Sequence, residues 1–334
     1  MAADTGATSG ARPSSATETT GSRGGLLGPM RGTPAIQTQG LRKIYGHGKA
    51  AKTALNGLDL TVERGEVFGF LGPNGAGKTT TIRLLLDLLR PSAGRISVLG
   101  EDPRSRPELR RRIGYLAGDF VVDGRQTGAD LLAYLGRLRG GVDRERVAAL
   151  AERLDLDTSR RISGLSKGNR QKIGVVQAFM HAPELLILDE PTSGLDPFLQ
   201  QQFVELVQEA KAGGQTVFMS SHVMSEVQAT CDRVGIIRGG ELAAVEQVEG
   251  LRQRAFRKIE ITFAQPVDPA EFAGLAGVSD VTADGPVVRC RLAGTADELV
   301  KTAARHTVVD LLSEEPELEE LFFAYYAHGE GSRR

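Results

Sequence analysis

Eight consecutive residues, Gly72-Pro73-Asn74-Gly75-Ala76-Gly77-Lys78-Thr79, hold the densest chemistry in this sequence. Gly72 and Gly77 followed by Lys and Thr have the spacing of a phosphate-cradling P-loop. Glycines let backbone amides turn inward on phosphate oxygens with no Cβ in the way. The apolar run Val67–Leu71 precedes the loop, and a helical stretch, Thr80–Leu89, follows it. The helix therefore adds its positive N-terminal end to the same anion, with Thr80 in its first turn. Lys78 would neutralise the β- and γ-phosphates of a nucleoside triphosphate, and Thr79 would place its hydroxyl on Mg²⁺.

A second constellation is Leu185-Leu186-Ile187-Leu188-Asp189-Glu190. A buried strand ending in two adjacent carboxylates sets them at the carboxyl edge of a sheet, beside the P-loop. Asp189 would bind Mg²⁺ through water, and Glu190 would polarise the water that attacks the γ-phosphate. These two motifs alone leave a nucleotide kinase, a GTPase and a motor open.

Leu165-Ser166-Lys167-Gly168-Asn169-Arg170-Gln171-Lys172 narrows the field. Ser166 and the Gly168 amide at a helix N-terminus form an anion site. The stretch resembles the signature sequence of the ABC ATPase family, with Lys167 for the first of two glycines and Asn169 for Gln. Under that resemblance Tyr45 matches the aromatic that stacks on adenine. Asp196, in Ser193-Gly194-Leu195-Asp196, matches the loop coupling two sites across a dimer. His222, after Ser220-Ser221, matches the switch histidine at the γ-phosphate, while His47, His181, His306 and His328 read as ordinary. One departure stands out: the family usually has Gln, or sometimes Glu, where this chain has Gly118. Asp119 could substitute by one position.

The resemblance implies two copies stacked head to tail, each ATP lying between one P-loop and the other copy's Ser166–Asn169. A homodimer is the simplest such pair, because one chain holds one P-loop and one signature. It also implies a separate membrane permease and a peripheral place on the cytoplasmic face of the cell membrane. The style is that of bacterial drug- and antibiotic-resistance exporters, on the signature variant, the opening Ala35–Tyr45 and the late Leu318-Glu319-Glu320-Leu321-Phe322. The alternative is a non-transport ABC ATPase of DNA repair or translation. Such proteins carry long coiled coils or two cassettes, and the sequence shows neither. A small-molecule kinase would leave Ser166–Asn169 and His222 unexplained.

The elements that must position these residues follow from composition and periodicity. Of 334 residues, 40% are apolar and 25% charged, which is enough to build a packed core. The 41 Lys and Arg nearly cancel the 42 Asp and Glu, so nothing points to a nucleic-acid partner. Arg110, Arg111 and Arg112 are expected on a solvated helix face. Cys231 and Cys290 lie far apart with no metal-ligand spacing, which favours a reducing compartment. No run approaches the roughly 20 apolar residues that span a bilayer.

The expected fold class is α/β: a P-loop NTPase core of ABC type with a helical subdomain, plus a small C-terminal α+β domain of ferredoxin-like order. Residues 1–33 read as a disordered tail and 34–265 as the ATP-binding domain. The helical subdomain covers about 120–180. Residues 266–328 form the accessory domain, its first strand starting near 257 and its last helix spanning Glu317–Tyr326. Alternating strands and helices in the core imply a mainly parallel sheet covered on both faces.

Overall fold

The computed structural model describes residues 32–250 and 257–314. Nearly all of the expected tail and the whole of the expected helix Glu317–Tyr326 lie outside the described residues. The chain opens with strands β1 (Ile36–Tyr45) and β2 (Lys52–Val62), then β3 (Val67–Leu71) and helix α1 (Lys78–Leu85). Strands β4 (Ala93–Val98) and β5 (Ile113–Leu116) lead to helices α2 (Gly128–Leu138), α3 (Arg144–Arg153) and α4 (Lys167–Phe179). Then follow β6 (Leu185–Asp189), α5 (Pro197–Ala212), β7 (Thr216–Ser221), α6 (Met224–Thr230), β8 (Arg233–Arg238) and β9 (Glu241–Gln247).

Six strands form the main sheet in the order β5-β6-β7-β3-β8-β9. All its pairings are parallel except β8 with β9. Its central strands are apolar without interruption because both faces are covered, as parallel sheets require. Side chains alternate between two cores with the period of a strand. Val67, Leu71, Leu186, Leu188, Val217 and Met219 face one core, with Phe203 of α5 and Val176 of α4. Phe68, Phe70, Leu185, Ile187 and Phe218 face the other, with Ile82 of α1. Each such buried side chain contributes about 1.5–3 kcal/mol relative to exposure.

The second core is closed by something the strand–helix alternation did not lead us to expect. β1, β2 and β4 form a separate antiparallel sheet, ordered β2-β1-β4, with only a 3-10 turn, Gly48–Ala50, between its first two strands. Ile36, Leu41, Leu55, Leu58 and Leu60 point inward from it. Helix α1 is also shorter than expected: it ends at Leu85, and Asp87 takes a left-handed φ of 56° where a continuing helix needs a negative one.

The stretch expected to be helical carries three helices, each opened by a capping side chain. Thr127 caps α2 in a full capping box with Asp130, Asp143 caps α3, and Ser166 caps α4. The three arginines end a 3-10 helix, Pro107–Arg112, with Arg110 and Arg111 exposed as expected. Two of them are also paired: Arg112 forks onto Glu184 at 2.6 and 2.8 Å and Arg110 meets Asp87 at 3.1 Å.

Toward the C-terminus, β10 (Arg257–Phe263), β11 (Val278–Asp284), β12 (Val287–Leu292), α7 (Asp297–Ala303) and β13 (Val308–Glu314) build an antiparallel sheet ordered β11-β12-β10-β13. Ile259, Ile261, Val288, Cys290, Leu292 and Phe272 form its core. The helix expected between β10 and β11 shrinks to one 3-10 turn, Pro269–Glu271, capped by Asp268.

Candidate active site

Parallel register brings three strand ends together. Leu71 of β3 is level with Ser221 of β7, and Asp189 of β6 is level with Ser220. The P-loop, the two carboxylates and His222 therefore leave the sheet at one edge. β7 lies between the P-loop strand and the carboxylate strand, so the carboxylates are not the P-loop's direct neighbours. Side chains bridge the gap.

Gly72 and Gly77 frame the loop; Gly77 has a φ of 117°, which a side chain would resist. Pro73, Asn74 and Gly75 are exposed, Ala76 is buried, and Thr79 and Thr80 are half-buried. Lys78 is only 5% exposed, and its Nζ donates to the Gly72 carbonyl at 2.7 Å and the Pro73 carbonyl at 3.4 Å. It also lies 3.5 Å from Glu190 Oε1, which in turn is 3.3 Å from His222 Nδ1. Tyr45 is brought to the same helix start, its hydroxyl 3.4 Å from Thr80 Oγ1 and its ring under Lys43.

Glu190 has a φ of 46°, in the left-handed region. It is held there by its amide, which donates to the Ser220 carbonyl at 3.2 Å and the Ser220 hydroxyl at 3.1 Å. That hydroxyl donates to Asp189 Oδ1 at 2.6 Å. Ser220, fully buried, thus orients both carboxylate residues. Sequence reasoning passed over it as the lead-in to His222, although its level with Asp189 follows once β6 and β7 pair.

Ser166 and Lys167 are exposed at the start of α4, and Ser166 Oγ accepts from the Asn169 amide at 3.2 Å. Gly168 is pressed against the loop that carries Asp196: a Cβ there would lie 2.7 Å from the Gly194 carbonyl oxygen. Buried Gln171 ties the same helix to the Pro191 carbonyl at 3.2 Å. Asp196 is exposed and caps α5 through the Leu199 amide at 3.0 Å. Among the described residues, no hydrogen bond or ion pair runs from Ser166–Asn169 to the P-loop.

Residues 55–193 match the family described as ABC transporter. The chain is 41% identical to the ABC transporter ATP-binding protein NatA of Bacillus subtilis (strain 168) over 210 residues, 61% of this chain and 85% of that protein. It is 32% identical to the linearmycin resistance ATP-binding protein LnrL of the same organism over 305 residues, 86% of this chain and 96% of the relative. A solved ATP-binding subunit of an ABC transporter matches with a TM-score of 0.59 at 30% identity, covering 66% of this chain and 92% of that one. The chain belongs to the ABC transporter ATP-binding proteins.

As an ATP-binding cassette it is an ATPase, and the kinase reading falls away. Cassettes of this family work as dimers with membrane permeases. No helix among the described residues is long and apolar enough to cross a membrane. Two features of this cassette bear on the metal. Among the described residues no group of three or more His, Cys, Asp or Glu is gathered for a cation. Mg²⁺ takes one or two carboxylates and otherwise phosphate oxygens and water. Asp189, 3% exposed and fixed by Ser220, with Thr79 half-buried on α1, fits the role. Gly118 sits where its missing side chain would matter: a Cβ would be 3.1 Å from the Asp189 carbonyl oxygen and 3.6 Å from Oδ2. Asp119 is exposed and makes no side-chain hydrogen bond or ion pair among the described residues.

The cysteines take no part. Both are free and buried, and burial pushes the Cys231 thiol up to about 12, so no thiolate forms near neutrality.

Proposed function

We propose that the cassette powers export through a separate membrane permease, two copies closing on two ATP molecules and reopening after hydrolysis. The convergence of Lys78, Glu190 and His222 on one point at the P-loop carries this reading. Lys78 is satisfied by two loop carbonyls and Glu190. A triphosphate entering the loop draws Nζ onto its β- and γ-oxygens and frees Glu190 to face water. Glu190 then takes the proton of the attacking water as the bond between the β- and γ-phosphates breaks, giving ADP and phosphate. His222, its side chain 49% exposed, reaches toward the γ-phosphate. Mg²⁺ held by Thr79 and, through water, by Asp189 would offset the charge that develops on the phosphate oxygens. Tyr45 provides the adenine platform.

Ser166, Lys167, Gly168 and Asn169 serve the neighbouring copy's γ-phosphate, and Ser166 and Lys167 are exposed to meet it. Asp196, linked to Gly168 through the Gly194 contact, would report the state of one site to the other. The exporter direction is supported by LnrL, a resistance ATP-binding protein aligned over 86% of this chain. The C-terminal sheet is read as a ferredoxin-like accessory domain, and the whole as a peripheral protein of the cytoplasmic membrane face. Purification from membranes tests the reading. An integral membrane protein should accompany the chain and stimulate its ATPase; a chain that instead follows ribosomes or DNA would support the non-transport alternative.

A further inference from the structure

β5 is the outermost strand on its side of the main sheet, pairing with β6 alone among the described strands. The carbonyls of Ile113 and Tyr115 accept from side chains on its open edge. Arg139, which caps the end of α2, donates from Nη1 to the Ile113 carbonyl at 3.0 Å. Gln177, near the end of α4, donates from Nε2 to the Tyr115 carbonyl, and its Oε1 accepts from Arg139 Nη2 at 3.4 Å. His181, just beyond α4, sets Nε2 against both Arg139 Nη1 and the Ile113 carbonyl, the latter at 3.3 Å. Its Nδ1 is buried with no partner among the described residues. A buried ring nitrogen left unpaired is costly, so the ring is held there by what Nε2 meets.

The backbone presses the same elements together. A Cβ on Gly114 of β5 would overlap the Ala178 carbonyl of α4, and one on Gly174 of α4 would overlap Leu116. The Phe120 ring, two residues past Gly118, lies 3.0 Å from that second Cβ position. β5 runs straight into Gly118 and Asp119, and α4 begins directly after Ser166.

We propose that Arg139, Gln177 and His181 are positioning residues that latch the open edge of β5 to α4, so that the Gly118–Asp119 loop and Ser166 move as one piece and the loop keeps its place beside Asp189. In a cassette with Gln at position 118, a side chain could hold that loop to the metal side. With Gly118, the latch carries the task. The inference rests on the roles proposed for Asp189 and Ser166.

Hydrogen exchange on the full-length chain without nucleotide or metal tests the latch directly. Gln177→Met removes the donor to Tyr115 at similar size. Amides of 113–119 should exchange about fivefold faster or more, with β3 and β7 unchanged, as for a local opening. The Mg²⁺ concentration for half-maximal hydrolysis should rise by a similar factor. ATP affinity measured in chelator should stay within about twofold, because Lys78 and the loop are untouched. Unchanged exchange at 113–119, exchange that rises equally throughout the chain, or an unaltered Mg²⁺ requirement would each overturn the proposal. Should Gln177→Met not fold, Arg139→Lys, which can reach Ile113 but cannot fork to Gln177, decides by the same readings. A wild-type chain that never hydrolyses ATP would defeat the proposed function, while the exchange result would still judge the latch.

Discussion

Lys78 bonds to Gly72, Pro73 and Glu190, so its charge is balanced within the site. Lys78→Ala removes the main cation facing the phosphates. ATP binding by filtration or fluorescence should be lost, and retained micromolar affinity would contradict the assignment. Glu190→Gln keeps the shape and loses the base. Turnover should fall by roughly a hundred- to ten-thousandfold, as for a lost general base, while ATP still binds. The P-loop and both carboxylates were legible in the sequence because their chemistry depends on residues adjacent in the chain. Ser220 was not, since its importance comes from the pairing of β6 and β7. The latch residue His181 was read as ordinary because nothing beside it in sequence signals Arg139, which lies two helices away.

At the scale of elements, the Gly168 contact makes a sharp test. Any side chain there must displace the Gly194 backbone, which cannot swing aside like a flexible side chain. Gly168→Val should therefore lower stability by about 1–3 kcal/mol, as overpacking does, and disturb the signature and the Asp196 loop together. A melting temperature and turnover both within error of wild type would show that the close approach does not matter. The sequence led to the parallel sheet, the helical stretch with Ser166 at a helix start, and the strand–turn–helix around Lys78, because period and caps are local signals. It did not reveal the antiparallel sheet of β1, β2 and β4. Polar and apolar residues alternate weakly along Lys52–Val62, and what decides the pairing is the second core beneath it.

At the scale of the molecule, the shared-site reading predicts assembly. ATP-loaded Glu190→Gln should run as a dimer in size exclusion and return to monomer when ATP is removed; a persistent monomer would count against it. Acid stability offers a separate test. Burial, with Arg139 from the end of α2 and Arg146 from α3 nearby, holds the His181 ring down to about 4. The unfolded chain takes up that proton near pH 6.5 and the folded chain only near pH 4. The neutral ring's contribution is thus complete above pH 6.5 and is lost as pH falls toward 4. Because water still reaches part of the ring, the loss is nearer 1–2 than about 3 kcal/mol. His181→Gln should flatten the slope of melting temperature over that window, and an identical slope would refute the cause.

The left-handed backbone at Glu190 has one more consequence. A non-glycine residue in that conformation costs about 1–3 kcal/mol, which the rest of the fold must absorb. Glu190→Gly should therefore melt several degrees higher while being inert. Selection for heat tolerance alone would pull first at this position, and a lineage released from the need to turn over would drift toward a sturdier, silent cassette.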